Sequence, residues 1–207
     1  MEIALYIGLG IIGLIVLFFL FGVLPVLPIA IKVHKMQLKR GGNNTWGREC
    51  SCLTNEEQVQ MWNEGMDWFE TVKDKASDVE MVAPDGIKLV GQYFNFGGSK
   101  CVMILGGRCE SLCYSYYYAK PYVEMGYNIL LVDGRAHGNS EGEYNCVGCK
   151  EYKDILCWIK KAHDEFGNEK VLLHGICIGA ATSTYVATSK KCPDYVEGLI
   201  VDGLYYF

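Results

Sequence analysis

Residues 172–182 read LLHGICIGAAT, an apolar run that ends in Gly175-Ile176-Cys177-Ile178-Gly179 and passes into a string of small residues. A nucleophile carried on a sharp strand-to-helix turn needs this context, because flanking glycines permit a strained turn that pushes the intervening side chain into the open. Attack by the Cys177 thiol on an acyl carbon is the chemistry such a turn would serve. The oxyanion formed by that attack must be met by backbone N–H groups. The loop GGRCES at 106–111 has two successive glycines that let the backbone turn and present such donors. A third loop, DGRAHGNSEG at 133–142, follows another apolar run.

These loops need a scaffold, and the apolar pattern describes one. Cys101 to Leu105, Asn128 to Val132, Val171 to Leu173 and Leu199 to Val201 are short apolar runs separated by helical patterns. The clearest helix places Ile155, Trp158, Ile159, Ala162 and Phe166 on one face. Strands buried on both sides and alternating with helices imply right-handed crossovers and a mostly parallel sheet covered on both faces. In such a sheet, ligands bind outside the carboxyl ends of the strands, where all three loops fall. VEMVAPDGIKLVGQYFNF, 79–96, reads as an antiparallel hairpin turning at Pro84-Asp85-Gly86. Ahead of it, Thr54 with Glu57 forms a capping box for a helix whose apolar side carries Met61, Trp62, Trp68, Phe69 and Val72.

Upstream, no charged residue occurs from Ile3 to Ile31, which exceeds the roughly 20 apolar residues that span a bilayer. The segment opens Met1-Glu2 and continues into Pro25, Pro28 and Ile31, without the basic start and small-residue cleavage site of a signal peptide. It therefore reads as a retained, single-pass transmembrane anchor. Lys32, His34, Lys35, Lys39 and Arg40 all follow it, which places the remainder of the chain in the cytoplasm. GLGIIG at 8–13 matches a dinucleotide-binding spacing, but no strand precedes it. The expected organisation is an anchor at 1–31, a basic flank and linker at 32–55, and one domain at 56–207.

The 207 residues carry 19 basic and 24 acidic side chains, net charge −5, without a dense basic run in the globular part, so nucleic acid is not an expected partner. Ten cysteines in a cytoplasmic domain are expected to be free thiols. Cys146 and Cys149 have a zinc-type spacing, yet neither Cys50 and Cys52 nor Cys109 and Cys113 complete a four-ligand set, and no metal or cofactor is expected. Tyr114, Tyr116, Tyr117, Tyr118 and Tyr122 read as packing, Glu151 and Asp154 as solvated or capping carboxylates, and Glu110 and Ser111 as neighbours of the glycine loop.

In order and spacing, ILGGRCES, DGRAHGNSEG and LLHGICIGAAT resemble the α/β-hydrolase superfamily, in particular its membrane-anchored serine-aminopeptidase-like and prolyl-oligopeptidase-like branch, over residues 78–207. The resemblance implies an elbow nucleophile at Cys177, where serine is usual and cysteine is similar to dienelactone hydrolase, a relative with a Cys-His-Asp triad. It also implies an oxyanion hole from the backbone N–H groups of Arg108 and Ile178, although Gly106-Gly107 stands where His-Gly is usual. The implied activity is ester, thioester or peptide acyl hydrolysis.

The family's acid and histidine follow strands seven and eight, and the sequence reaches Phe207 beyond what reads as strand six, so both partners and the last two strands are expected to be missing. Of the four histidines, His34 lies by the anchor, His163 on a helix, and His137 resembles a structural histidine of the loop after strand four. His174 is expected to brace the turn rather than approach within about 3 Å of the thiol. Asp202 ends strand six, where some members place the acid. Cys177 can still attack unaided, since a thiol is a few per cent ionised near neutral pH, but turnover should be slow. A final strand left as an open edge invites a second copy or a second polypeptide, and a truncated, non-catalytic binding fragment is the competing expectation.

Overall fold

The computed structural model describes residues 2–41, 47–50 and 53–203. Helix α1 spans Glu2–Phe18 and passes through a π-turn, Phe19–Val23, and a turn at 24–26 into α2, Leu27–Leu38. Ile3–Val23 is a helix long and apolar enough to cross a membrane, with its side chains unburied by the rest of the chain. Part of the flank and linker expected at 32–55 lies outside the described residues, as does Cys52. The basic flank, however, is helical and docked rather than loose. Lys39 bridges Tyr144 in antiparallel fashion, and the N–H groups of Arg40 and Asn145 donate to Glu143 O and Leu38 O at 2.8 and 2.9 Å.

Helix α3 runs from Glu56 to Val72, and its cap is Asn55, not Thr54. Asn55 is extended, and its side-chain oxygen accepts the N–H of Gln58 at 3.2 Å. Asparagine ranks with the strongest N-caps, so the start shifts by one residue from the Thr54 box. Strands β1, Ala76–Val82, and β2, Lys88–Phe94, form the expected hairpin. The alternation then gives β3 (Lys100–Leu105), α4 (Tyr116–Glu124), β4 (Tyr127–Val132), α5 (Glu151–Asp164), β5 (Lys170–Ile176), α6 (Ile178–Thr188) and β6 (Val196–Asp202).

The six strands make one sheet in the order β1-β2-β4-β3-β5-β6, antiparallel through β4 on the hairpin side and parallel from there on. Because successive residues of a strand point to opposite faces, β3 feeds two cores. Met103 and Leu105 pack with Trp158, Ile159 and Ala162 of α5 and Val186 of α6, while Val102 and Ile104 pack with Tyr116, Ala119 and Tyr122 of α4. Trp68 and Phe69 of α3 close the second layer, with Phe69 stacked on Tyr116 at 4.6 Å. Tyr114, Tyr116 and Tyr122 are thus packing residues, whereas Tyr117 is exposed. On the far side of the sheet, Ile200 and Val201 of β6 remain 41% and 40% exposed. Residues 204–207 of the expected edge lie outside the described residues.

Asp154 is not a solvated carboxylate. Its oxygens accept from Arg135 Nε and Nη2 at 2.9 and 2.8 Å, both residues being buried, and Asp85 of the hairpin turn takes Arg135 Nη1 at 2.9 Å. The adjacent guanidinium holds the Asp85 carboxyl down at about 2. This cluster ties the loop after β4 to both α5 and the hairpin. Glu151 is neither solvated nor a cap of α5: it is buried and its carboxylate folds back on the preceding loop, accepting the N–H groups of Cys146 and Gly148 at 2.6 and 3.0 Å.

Candidate active site

A single residue separates β5 from α6. Cys177 makes that turn with φ +53° and ψ −111°, a conformation foreign to ordinary non-glycine backbone. Such strain costs on the order of 1–3 kcal/mol and persists only where the surroundings over-determine it. Here they do. The Cys177 N–H donates to Asp202 O at 2.8 Å and its carbonyl accepts from the Ala181 N–H at 3.2 Å. A Cβ on Gly175 would stand 2.3 Å from Gly179 O, and one on Gly179 would stand 2.2 Å from Leu105 O, so neither position admits a side chain. The turn leaves Cys177 half-buried at the carboxyl edge of the sheet, at the head of α6, whose first N–H groups have no intrahelical partner.

The glycine loop after β3 passes directly over this residue. A Cβ on Gly107 would lie 3.5 Å from Cys177 Cβ and 2.8 Å from a Glu110 carboxylate oxygen. Glu110 accepts the Gly107 N–H at 2.7 Å, closing the loop on itself, and burial raises its pKa above the usual carboxylate range. The loop is pinned from the other side by His137. The Cys109 N–H donates to His137 Nε2 at 3.1 Å, which leaves Nδ1 protonated to donate to Arg135 O at 2.9 Å. Asp133 adds a third tie, accepting the Leu112 and Asn139 N–H groups at 2.7 and 2.9 Å and Arg48 Nε at 3.1 Å. Ile178 is buried and Arg108 exposed, each beginning the backbone segment expected to present its donor. A small cavity of about 40 Å³ lies between Gly106, Gly107, Glu110, Ile178 and Gly179.

His137 stands in the site but spends both ring nitrogens on the Cys109 N–H and Arg135 O, and the other three histidines are engaged elsewhere. His174 turns to the α4 face and hydrogen-bonds the Tyr122 hydroxyl through Nδ1 at 3.0 Å, so it braces β5 against α4 rather than the turn. His163 pairs with Asp164 and stacks on Tyr195, and the His34 ring lies against Tyr144. Asp202 reaches the site through its backbone carbonyl, its side chain being exposed. Cys146 and Cys149 close a turn through a 3.0 Å backbone bond. Glu110, expected from the sequence as a neighbour of the glycine loop, is the side chain that closes that loop. Its one legible sign is the three-residue spacing from Gly107, which suits a side chain closing back on its own loop.

Burial pushes the pKa of both His137 and His174 below the ordinary histidine value. The folded chain therefore excludes protons that the unfolded chain accepts below about pH 6.5. Stability is full above that pH and falls as pH drops towards the lowered folded values, by up to about 1.4 kcal/mol per pH unit for each histidine. Urea midpoints measured at pH 7.5 and 5.5 check this, and the loss should shrink in His137→Gln.

This sheet order, with a one-residue elbow after β5 and a donor loop after β3, defines an α/β-hydrolase core. Residues 100–204 match the family model described as alpha/beta hydrolase fold, and the chain belongs to that family. It is 26% identical to a Bacillus subtilis (strain 168) protein, "Uncharacterized protein YqkD", over 102 residues, which are 49% of this chain and 33% of that protein. Among solved structures it is similar to the Pyrococcus furiosus esterase Pf2001, with 29% identity, TM-score 0.53, and coverage of 59% of this chain and 50% of that one. It is also similar to the alpha/beta hydrolase GrgF from Penicillium sp. sh18, with 25% identity, TM-score 0.52, and coverage of 61% and 45%. The chain thus spans about half the length of the esterase and a third of the Bacillus protein.

Proposed function

We propose that this chain is a membrane-anchored acyl hydrolase of the ester, thioester or peptide type that works through Cys177, in keeping with the serine-aminopeptidase-like branch and with a cytoplasmic domain. The observation that carries this reading is the strained Cys177 turn set directly under the Gly107 loop. The thiolate sulfur attacks the acyl carbon, and the N–H groups of Arg108 and Ile178 hold the oxyanion. The C–O bond then breaks, the leaving alcohol takes a proton from solvent, and the acyl group remains as a thioester. Water must resolve that thioester, and among the described residues no histidine is turned to Cys177 to activate it, so slow turnover is expected of this chain.

Mixing the full chain with an activated ester should release about one product equivalent in a burst, the kinetic fingerprint of an accumulating acyl-enzyme. Sustained turnover that Cys177→Ala abolishes would keep the nucleophile and overturn the slow step. Glu110→Ala, which frees the Gly107 N–H and loosens the loop, should slow the burst about tenfold, a fraction of the cost of losing one oxyanion donor outright. Glu110→Gln, which still accepts that N–H, should restore most of it, as stopped-flow burst rates would show.

A second reading is favoured by one observation. The exposed Ile200 and Val201 on β6 suit a binding fragment that pairs with a second copy or a second polypeptide. Concentration-dependent association that β6 variants abolish, in a chain inert at Cys177, would select it.

A further inference from the structure

The path from the apolar helix to the hydrolase core leads to the face that carries Cys177. Arg108, in the loop over the thiol, donates from Nη1 to Gln37 O and Oε1 at 3.3 and 2.8 Å, near the end of α2. The Arg40 guanidinium donates to the carbonyls of Gly138 and Ser140, in the loop after β4. The backbone pairing at Leu38, Lys39 and Arg40 completes the join. Both of these loops stand at the carboxyl edge of the sheet.

Two properties of α2 fix where that edge lies. From Val23 to Gln37 the chain advances at most about 20 Å along a helix axis at 1.5 Å per residue. Along this distance Leu27, Ile29, Ile31, Val33 and Met36 are exposed apolar side chains, interleaved with exposed Lys32 and Lys35. The apolar and basic residues alternate around α2 without a single apolar face, and its basic groups suit the phosphate level beside the end of the apolar helix. The loop over Cys177 is therefore tied to a point only about 20 Å along the chain from the end of the apolar helix, close to any bilayer that helix enters.

We infer that the acyl donor is an ester-linked amphiphile resident in the bilayer, whose carboxyl ester lies near the headgroup level, rather than a small water-soluble ester. The inference rests on the anchor and the Cys177 reading above. The Cys177 S–C bond forms, the ester C–O bond breaks, the alcohol takes a proton from solvent in place of the one the thiol released there, and the long-chain acyl group stays on sulfur. Gln37 and Arg40 act as positioning residues, since they set where the mouth lies and touch no reacting atom.

The test reconstitutes the full chain in vesicles of phosphatidylcholine with phosphatidylglycerol and reads Cys177 acylation by intact-protein mass spectrometry. One probe is a long-chain nitrophenyl ester that partitions into the vesicles, and the other is its soluble acetyl counterpart. Confinement to the surface raises effective concentration, so the long-chain probe should react about tenfold faster or more. In the double variant Gln37→Ala/Arg40→Ala the ratio of long-chain to acetyl rate should fall most of the way to one, whatever change the two rates share. Acetyl labelling of Cys177 without a long-chain advantage, or with one that persists in the double variant as an intrinsic chain-length preference, overturns the inference and leaves the nucleophile standing. A chain that fails to float with vesicles, or that labels with neither probe, overturns it together with the reading beneath it.

Discussion

Cys177→Ala should abolish covalent acylation, reducing the burst at least about 100-fold, a loss as large as that of an oxyanion donor. Cys177→Ser should be nearly as inert. A hydroxyl needs a base to become a nucleophile, whereas a thiol supplies a small thiolate fraction unaided. In a site with a hidden histidine the serine variant would retain much of its rate, so the pair of substitutions distinguishes an unaided thiol from a supported one. Neither change should alter the fold. Cysteine holds φ +53° here, alanine and serine put no larger side chain on the same backbone, and the thermal midpoints should agree closely. Burst amplitude in stopped flow, read beside thermal melts, checks both halves.

Gly179→Ala should be among the most destabilising single changes in the chain. The added methyl would stand 2.2 Å from Leu105 O and 2.8 Å from Gly106 O, and backbone atoms inside a parallel sheet cannot rotate away as a flexible side chain would. Either α6 must lift from β3 or the elbow must open. Overpacking costs about 1–3 kcal/mol where side chains can adjust, so about 3 kcal/mol or more is expected here. For a domain of this size that corresponds to a fall of roughly 6–12 °C in the thermal midpoint. Acylation should fail with it, because the loop over Cys177 begins at Leu105. Calorimetry on the variant tests this, and an unchanged midpoint would mean that the turn is not packed as described.

Much of this architecture is legible in local pattern. The runs at 101–105, 128–132 and 171–173 mark β3, β4 and β5, since a strand buried on both faces must be apolar throughout. Two glycines around Cys177 announce the elbow because close packing there tolerates no Cβ. The Asn55 cap differs by one residue from the Thr54 expectation because several capping residues stand in succession and only backbone conformation decides among them. Asp154 reads as surface because its partner, Arg135, lies 19 positions earlier on another element. The docking of α2 leaves no legible pattern, since Arg40 binds backbone carbonyls that any sequence would present and Arg108 meets Gln37 71 positions away. Glu110 and His137 are visible as residue types near loops, but which donors they hold depends on how three loops converge.

The central claim is that one thiol in this chain is poised for acyl transfer. Burial pushes the thiols of Cys101, Cys113, Cys146, Cys157 and Cys192 above their ordinary pKa and suppresses their thiolates, while Cys149 is exposed and serves as an internal control for unassisted reactivity. The most direct measurement is to treat the purified full chain with an acyl-type activity probe and locate the adduct by peptide mass spectrometry, beside Cys177→Ala. The account predicts modification concentrated on Cys177, ahead of Cys149, and lost in the variant. Uniform labelling that follows exposure, or labelling that survives in Cys177→Ala, would contradict it.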